Sequence, residues 1–467
     1  MNEQRISPSY AQILTVASAF FLEVLDATIM IVAIIPMASN LGASISDTTL
    51  SLASYLLALV LFTPLSATLL KTLALADKFQ AGLVIFCAGS LICALSQDLY
   101  LLCIGRLIQG LGSALIVPAG RALILANTLK PAIPKTMAWL ITPALTAPMV
   151  APYIANLIIS VGNWRLIFVF IALFAVGLMI ACRRLLFSLP RPATPHPPLD
   201  YYAYSLWALA ACALFITFLA SSKNQMDDAL MAATVMLISA VALYKKTRSP
   251  SRKKLFDLSL FSSWAFKLNI VSGSLFRISI YAFPTLLIIN LMTSSSFSVT
   301  SIGHCLAFIF AGNFLSKPAA VKVLSGGTYL KHYLIGSALA TTLTLSVFLI
   351  PSLIQQLPAL WLCCFLHGCA RSFQFLGYSS ISLREVGPTR MHHATVLMGS
   401  VMQLNALIGQ AVPALLMALF IPQALTQDSS TVFFRVGIGT LTALVFITVL
   451  TALFLPSSSK VTFQSSH

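Results

Sequence analysis

Fourteen runs of mainly apolar residues follow one another along this 467-residue chain. A membrane-spanning helix needs about 20 such residues, and unpaired backbone groups are not tolerated in hydrocarbon, so runs of this kind must be helical. They fall near 13–38, 47–70, 79–97, 99–126, 135–160 and 165–189, then 202–221 and 229–245, then 262–291, 298–320, 330–350, 357–382, 392–421 and 432–455. The seventh and eighth are the weakest, the eighth because it is short. Composition agrees with the pattern: with 58% hydrophobic and 9% charged residues, the chain has too little charge to clothe a soluble surface. The expected fold class is an all-α polytopic membrane protein with fourteen spans. Only Arg5 precedes the first run as a base, and that run is long enough to span. It is expected to remain as the first helix rather than act as a cleaved signal.

The formal net charge is +16. Such a balance can point to nucleic acid, and the positions of the bases decide. The connections 39–46, 98, 292–297, 351–356 and 422–431 contain no Lys or Arg, with Arg165 and Lys223 as the exceptions on that side. The opposite side holds Arg5, Lys71, Lys78, Lys130, Lys135, Arg183, Arg184 and Arg191, the cluster Lys245 to Lys254, then Lys317, Lys322, Lys331, Arg384, Arg390 and Lys460. The positive-inside rule then predicts an even span count and two cytoplasmic termini. The basic charge reads as a topology signal and an attraction to anionic headgroups of the lipid bilayer, and nucleic-acid binding has no support.

Two Pro- and base-rich stretches, "RRLLFSLPRPATPHPPLD" at 183–200 and "YKKTRSPSRKKLFDLSLF" at 244–261, have the composition of linkers. Between them lies the seventh and eighth run. The expected organisation is a six-helix bundle over 1–190, a linker with two extra transmembrane helices over 191–254, and a second six-helix bundle over 255–467. Six plus six is the plan of a repeat-built transporter.

Four stretches then carry a family resemblance. "LDATIMIVAIIP" (25–36) is similar to the first-helix motif L-D-x-T-[IV]-x-N-x-A-L-P, with Asp26, Thr28, Ala33 and Pro36 matching and Ile31 where Asn is usual. "RLIQGLGSALIVPAGRALI" (106–124) resembles the fourth-helix motif R-x-x-Q-G-x-G-x-A through Arg106, Gln109, Gly110, Gly112 and Ala114. "NWRLIFVFIALF" (163–174) resembles the entry to helix six, and "LFDLSLFSSWAFKLNIVSGSLFRISIYAFP" (255–284) the lead into the second half. Together these resemble the fourteen-helix drug:H+ antiporter branch of the major facilitator superfamily, and within it the multidrug-resistance transporters of Gram-negative bacteria. The resemblance implies two six-helix bundles plus two linking transmembrane helices in a bacterial inner membrane, acting as a monomer. It implies export of a small-molecule substrate against protons, with a periplasmic adaptor protein that some relatives use. It also credits the Arg106 position with proton transfer.

Two motifs depart from that pattern. In the helix 2–3 loop, normally G-x-L-A-D-[RK]-x-G-[RK]-[RK], an ungapped register puts Lys71 where the Asp belongs, and Asp77 and Lys78 come a turn too late to replace it. The charged latch of that loop is therefore expected to be altered or lost. On helix five, "TPALTAPMVAPYIAN" (142–156) keeps Pro143, Pro148 and Pro152 but has Ala147, Ala151 and Ala155 for the glycines of the antiport motif. Small residues four apart still make a face for close helix packing. A plain packing face and an antiport role are both open.

Of the twelve acids, only Glu23 and Asp26 fall inside an expected span. An ionised acid near the bilayer centre costs at least about 2.5–3.5 kcal/mol, so such acids ordinarily face a cavity and serve function. At i, i+3 the two share one helix face, where their mutual repulsion favours holding a proton. Proton coupling is thus assigned to Asp26, with Glu23 and Arg106, the guanidinium pairing with either acid. The alternatives are a structural hydrogen bond from Asp26 to helix four or five, a merely solvated Glu23, and an Arg106 that snorkels to an interface. The second half offers bases without acids in its spans: Arg277, His304, Lys317, Arg371 and Arg435. Gln109, Arg277, Gln403 and Asn405 are candidate liners of a substrate cavity, although span amides often bond helix to helix.

No Ser/His/Asp set, phosphate loop or Cys/His cluster with metal-ligand spacing is present, so an enzyme, a metal site and a cofactor are not expected. The nine cysteines read as buried hydrophobes. Three functions compete: a proton-coupled exporter of amphiphilic compounds, a same-fold carrier for a metabolite, siderophore or nutrient, and a non-transporting scaffold or sensor.

Overall fold

In the computed structural model the described residues are 8–66, 73–129, 132–189, 200–223, 225–248, 255–293, 297–325, 329–382, 391–420 and 427–454. The chain divides into two compact units, Met1–Leu255 and Phe256–His467. The first unit runs through α1 (Tyr10–Leu41), α2 (Ile45–Phe62), α3 (Leu75–Ala94), α4 (Leu99–Ala126), α5 (Ile133–Ser160) and α6 (Arg165–Ala181). A π-helical turn at Cys182–Leu186 closes the sixth helix, and α7 (Tyr201–Ser222) and α8 (Met226–Arg248) complete the unit. The second unit has α9 (Trp264–Thr293), α10 (Val299–Leu315), the short α11 (Lys317–Ser325), α12 (Leu330–Val347), the one-turn α13 (Pro351–Ile354), α14 (Leu357–Ser382), α15 (Met391–Phe420) and α16 (Gln427–Leu453).

Local chemistry sets the helix ends. Ser9 and Gln12 form a reciprocal capping box at the start of α1, and Gly42 ends that helix at φ 61°, a left-handed conformation that glycine adopts without Cβ strain. Ser44, Asp98, Asp200 and Ser298 accept from backbone N–H groups three residues on and cap α2, α4, α7 and α10.

Among the described residues, twelve helices are long and apolar enough to cross a membrane. The long helices α12 and α14 are not among the twelve: the first carries Lys331, His332 and several threonines, the second His367, Arg371 and Gln374. Several boundaries differ from the sequence reading: α2 ends at Phe62, before Pro64, rather than near 70, and α16 begins at Gln427 rather than near 432. The short eighth run is a 23-residue helix whose ends were hidden by charge: Asp227 and Asp228 occupy its first turn, Lys245, Lys246 and Arg248 its last. Those signs complement the helix dipole. The third helix begins at Leu75, so Lys78 lies in its first turn, buried, rather than in a loop. The tenth run has a turn at Ser316, where α11 takes over from α10, and the two together make one of the twelve candidate crossings.

Each unit repeats one packing scheme. In the first, α1 packs on α5, both α2 and α3 pack on α4, and α3 packs on α6. In the second, α9 packs on α15, both α10 and α12 pack on α14, and α12 packs on α16. The additional helices α7 and α8 pack on each other, and α7 also leans on α2. Pro64 explains part of that attachment. Lacking an N–H, it cannot bond the Val60 carbonyl four residues back, and the Trp207 indole N–H donates to that oxygen at 3.0 Å instead. Arg165, an exception in the charge pattern, donates to the Ser96 carbonyl at 2.8 Å and to Asn40 Oδ1 at 2.7 Å, tying together the ends of α1, α3 and α6.

Candidate functional site: a buried acid–arginine pair

The candidate site in the first unit is assembled where α1, α2, α3 and α4 meet. Arg106 on α4 and Asp26 on α1 are both buried, and the Arg106 Nη1 donates to Asp26 Oδ2 at 2.7 Å. The same nitrogen donates to Gln109 Oε1 at 2.8 Å. Three residues apart on one helix, Arg106 and Gln109 lie side by side, and so both can reach across to Asp26. The Gln109 amide N–H donates to Ser90 Oγ on α3 at 2.7 Å, and its contact to Asp26 Oδ1 is 3.5 Å. Below the guanidinium lies the Tyr55 ring of α2, 4.5 Å from Arg106 Cζ to the centroid. The Tyr55 hydroxyl donates to Ser113 Oγ at 2.8 Å and lies 3.4 Å from Glu23 Oε1.

Of the two acids, Asp26 therefore holds the arginine, while half-buried Glu23 sits a turn away and meets the cluster through Tyr55. The Arg106 Nε is buried with no hydrogen-bond partner. Arg121 is exposed on the same helix, with Glu23 within reach of its field.

Close helix approach makes the cluster possible. A Cβ on Gly89 of α3 would lie 2.5 Å from the Gln109 nitrogen and 2.7 Å from the Gly105 carbonyl, and one on Gly112 would lie 2.6 Å from the Phe86 nitrogen. Gly89 and Gly105 thus let two backbones touch, which puts Ser90 within reach of Gln109. Tyr55, Ser90 and Ser113 complete the network: the sequence marks Tyr55 only as one of several aromatics able to line an apolar pocket, and gives neither serine a site role. One signal was available: Ser113 follows Gln109 by four residues and so shares its face.

The remaining expected residues fall elsewhere. Ala147, Ala151 and Ala155 on α5 have no exposed surface, and Pro148 and Pro152 are buried with them, while Pro143 is half-buried. Their helix packs chiefly on α1, with its three prolines inside a continuous helix. Asp77 joins Lys78 in the first turn of α3, and Lys71 lies outside the described residues. In the second unit, buried Arg277 donates to Asn269 Oδ1 at 2.6 Å, eight residues back on α9. A Cβ on the intervening Gly273 would lie 2.8 Å from the Arg277 Nη1, so glycine clears the path of the side chain. Asn405 donates to Ser274 Oγ at 3.0 Å, joining α15 to α9, and Gln403 is half-buried on the same helix.

Tyr55→Phe is expected to keep the ring under Arg106 and to lose the bond to Ser113. Thermal stability should fall by about 1 kcal/mol, the net worth of a neutral hydrogen bond. Tyr55→Leu should cost more, because the cation–π contact goes too. Melting of the purified protein in detergent checks both.

Sequence comparison gives the family. The model described as Major Facilitator Superfamily matches residues 16–410, most of the chain. The chain belongs to the Major Facilitator Superfamily. Its members are membrane transporters and not enzymes, so the chain is a multi-pass transporter that sits in a lipid bilayer and takes a small-molecule substrate. Among curated relatives, proteins of Escherichia coli (strain K12) and of Shigella flexneri serotype 5b (strain 8401), both called "Putative multidrug resistance protein MdtD", are 26% identical over 421 residues, 90% of this chain and 88% of theirs. Two solved structures share the fold. A peptide transporter POT in complex with sulfate aligns with a TM-score of 0.69 at 15% identity, covering 95% of this chain and 94% of that one. The POT family transporter PepTSo aligns with a TM-score of 0.69 at 11% identity, covering 95% and 97%.

Proposed function

We propose that this major facilitator transporter is a proton-coupled antiporter that exports amphiphilic, drug-like organic compounds across a bacterial inner membrane by alternating access. The observation that carries the reading is the buried Asp26–Arg106 pair. Its two members are chemically unequal. A proton can neutralise the carboxylate, whereas the guanidinium keeps its charge in a protein. Protonation of Asp26 would release Arg106 toward Gln109, and loss of the proton would draw it back. Two charge states of one acid thereby become two hydrogen-bond arrangements on α1 and α4, which is what coupling a proton to a conformational change requires. Glu23 is the second proton-holding group in this reading, linked through Tyr55. The multidrug resistance name of the relatives supports the drug-like substrate class.

The topology that goes with this mechanism has fourteen crossings, α12 and α14 included, with both termini cytoplasmic and the carrier working as a monomer. Residues 1–190 and 255–467 are its six-helix bundles, and 191–254 its linking segment.

Proteoliposomes containing the wild-type protein, loaded with a pH dye and given rhodamine 6G, test the mechanism. Rhodamine 6G should accumulate on the acidic side while protons leave that side, and reversing the pH gradient should reverse the flux. Uptake along the proton gradient would favour the nutrient-type carrier, and flux indifferent to the gradient would sink proton coupling.

A further inference from the structure

In the second unit a buried arginine lacks an acceptor. Arg371 of α14 keeps 9% of its surface exposed and donates no hydrogen bond among the described residues, with Nη1 both buried and unpartnered. Its guanidinium rests on the Phe310 ring of α10, 5.1 Å from the centroid. This contrasts with Arg106, paired with an acid, and Arg277, held by an amide, each only 1% exposed. His367, one turn earlier on α14, is buried among Phe283 and Phe348 with Nε2 unpartnered. Lys317 on α11 lies near enough for its charge to act on Arg371. Apart from Asp428 in the first turn of α16, the helices of this unit hold no carboxylate among the described residues.

A buried cation with five N–H donors and no acceptor is costly, and the cost is met when an anion arrives. The small remaining exposure gives a way in, and the aromatic neighbours, Phe310 beneath the guanidinium and Tyr281 within reach of its charge, suit an organic body rather than a hydrated inorganic ion. We propose that Arg371 binds the acidic group, carboxylate or sulfonate, of an amphiphilic organic anion, with Phe310 beneath the guanidinium and Lys317 adding charge. The proposal deepens the reading of the chain as a carrier of amphiphilic compounds and rests on it. The two fail separately, because binding needs no proton gradient.

The test measures binding of fluorescein, an amphiphilic anion, and of rhodamine 6G, a cation on a related ring system, to the wild-type protein in phosphatidylcholine nanodiscs. Arg371→Gln should weaken fluorescein binding by about tenfold or more, as expected for loss of a bond to a charged group. Rhodamine 6G affinity should change much less, and Arg371→Lys should recover part of the fluorescein affinity. Arg371→Met should bind fluorescein as poorly as the glutamine variant yet melt at a higher temperature than wild type, since it removes an unpaired buried charge. That opposition of stability and binding is the mark of a ligand site and not of a structural arginine. Wild-type protein that does not bind fluorescein, an Arg371→Gln variant that binds it normally, or an Arg371→Met variant that melts lower than wild type would each overturn the proposal. So would displacement of fluorescein by phosphatidylglycerol, which would assign the arginine to a lipid headgroup.

Discussion

Asp26→Leu should destabilise the protein by about 3–5 kcal/mol, the cost of stranding a buried charge, and should abolish proton-linked transport. The stranded group is Arg106, whose other partner is the neutral Gln109 and whose Nε already lacks one. Arg106→Met should be milder for the fold, because a lone buried carboxyl can escape its cost by taking a proton. The double variant Asp26→Leu with Arg106→Met should recover most of the lost stability, since buried ion pairs are often replaced by apolar side chains at little cost. It should not recover transport. Asp26→Asn, close in shape and still able to accept from Arg106, should fold best among the acid variants and still move no protons. Thermal melts in detergent give the first half of this cycle and dye-loaded proteoliposomes the second. Proton counterflux through Asp26→Asn or through the double variant would remove Asp26 from the mechanism.

Gly89→Ala is expected to lower stability by about 1–3 kcal/mol or more, the range for overpacking, and to weaken transport with it. The added methyl would press on the Gln109 nitrogen and the Gly105 carbonyl. Backbone atoms cannot rotate aside, so α3 and α4 must separate, and the 2.7 Å bond from Gln109 to Ser90 stretches first. Gly177 on α6 supplies the contrast, because a Cβ there meets nothing within 4 Å. Gly177→Ala should raise stability by about 0.5–1 kcal/mol through helix propensity. If both alanine variants melt alike, close approach of α3 and α4 is not what holds Gln109 in place.

The spacing of apolar runs was enough to place the helices because membrane insertion depends on length and hydropathy, both properties of the sequence. What it misplaced were ends defined by charge, as at α8, and the break at Ser316, although Pro318, which cannot donate to the carbonyl four residues back, marks it in the sequence. Asp26 and Arg106 were legible for the same reason: an ionised group in an apolar run stands out. The choice of Asp26 over Glu23 as partner was not legible, since it depends on how α1 is rotated against α4. Hydroxyl groups were harder still. Most in these helices bond their own preceding turn, as Thr15 does to Ala11 and Thr28 to Val24. Only the packing of α2 on α4 reveals that Ser113 instead receives Tyr55. In the same way the Arg277 partner, Asn269, is an intrahelical amide two turns away, visible only once Gly273 is seen to clear the path between them.

The bond from Trp207 to the Val60 carbonyl gives α7 and α8 a definite allegiance. Val60 lies in the last turn of α2, where carbonyls run out of helical donors, and Pro64 has no N–H to offer, so the indole of α7 satisfies this oxygen. Excising the two helices from this chain while leaving Pro64 would expose a bare carbonyl to lipid, at a cost of several kcal/mol. The two added helices are thus fastened to the first bundle through α7, at a point on α2 where a backbone oxygen takes its donor from another helix.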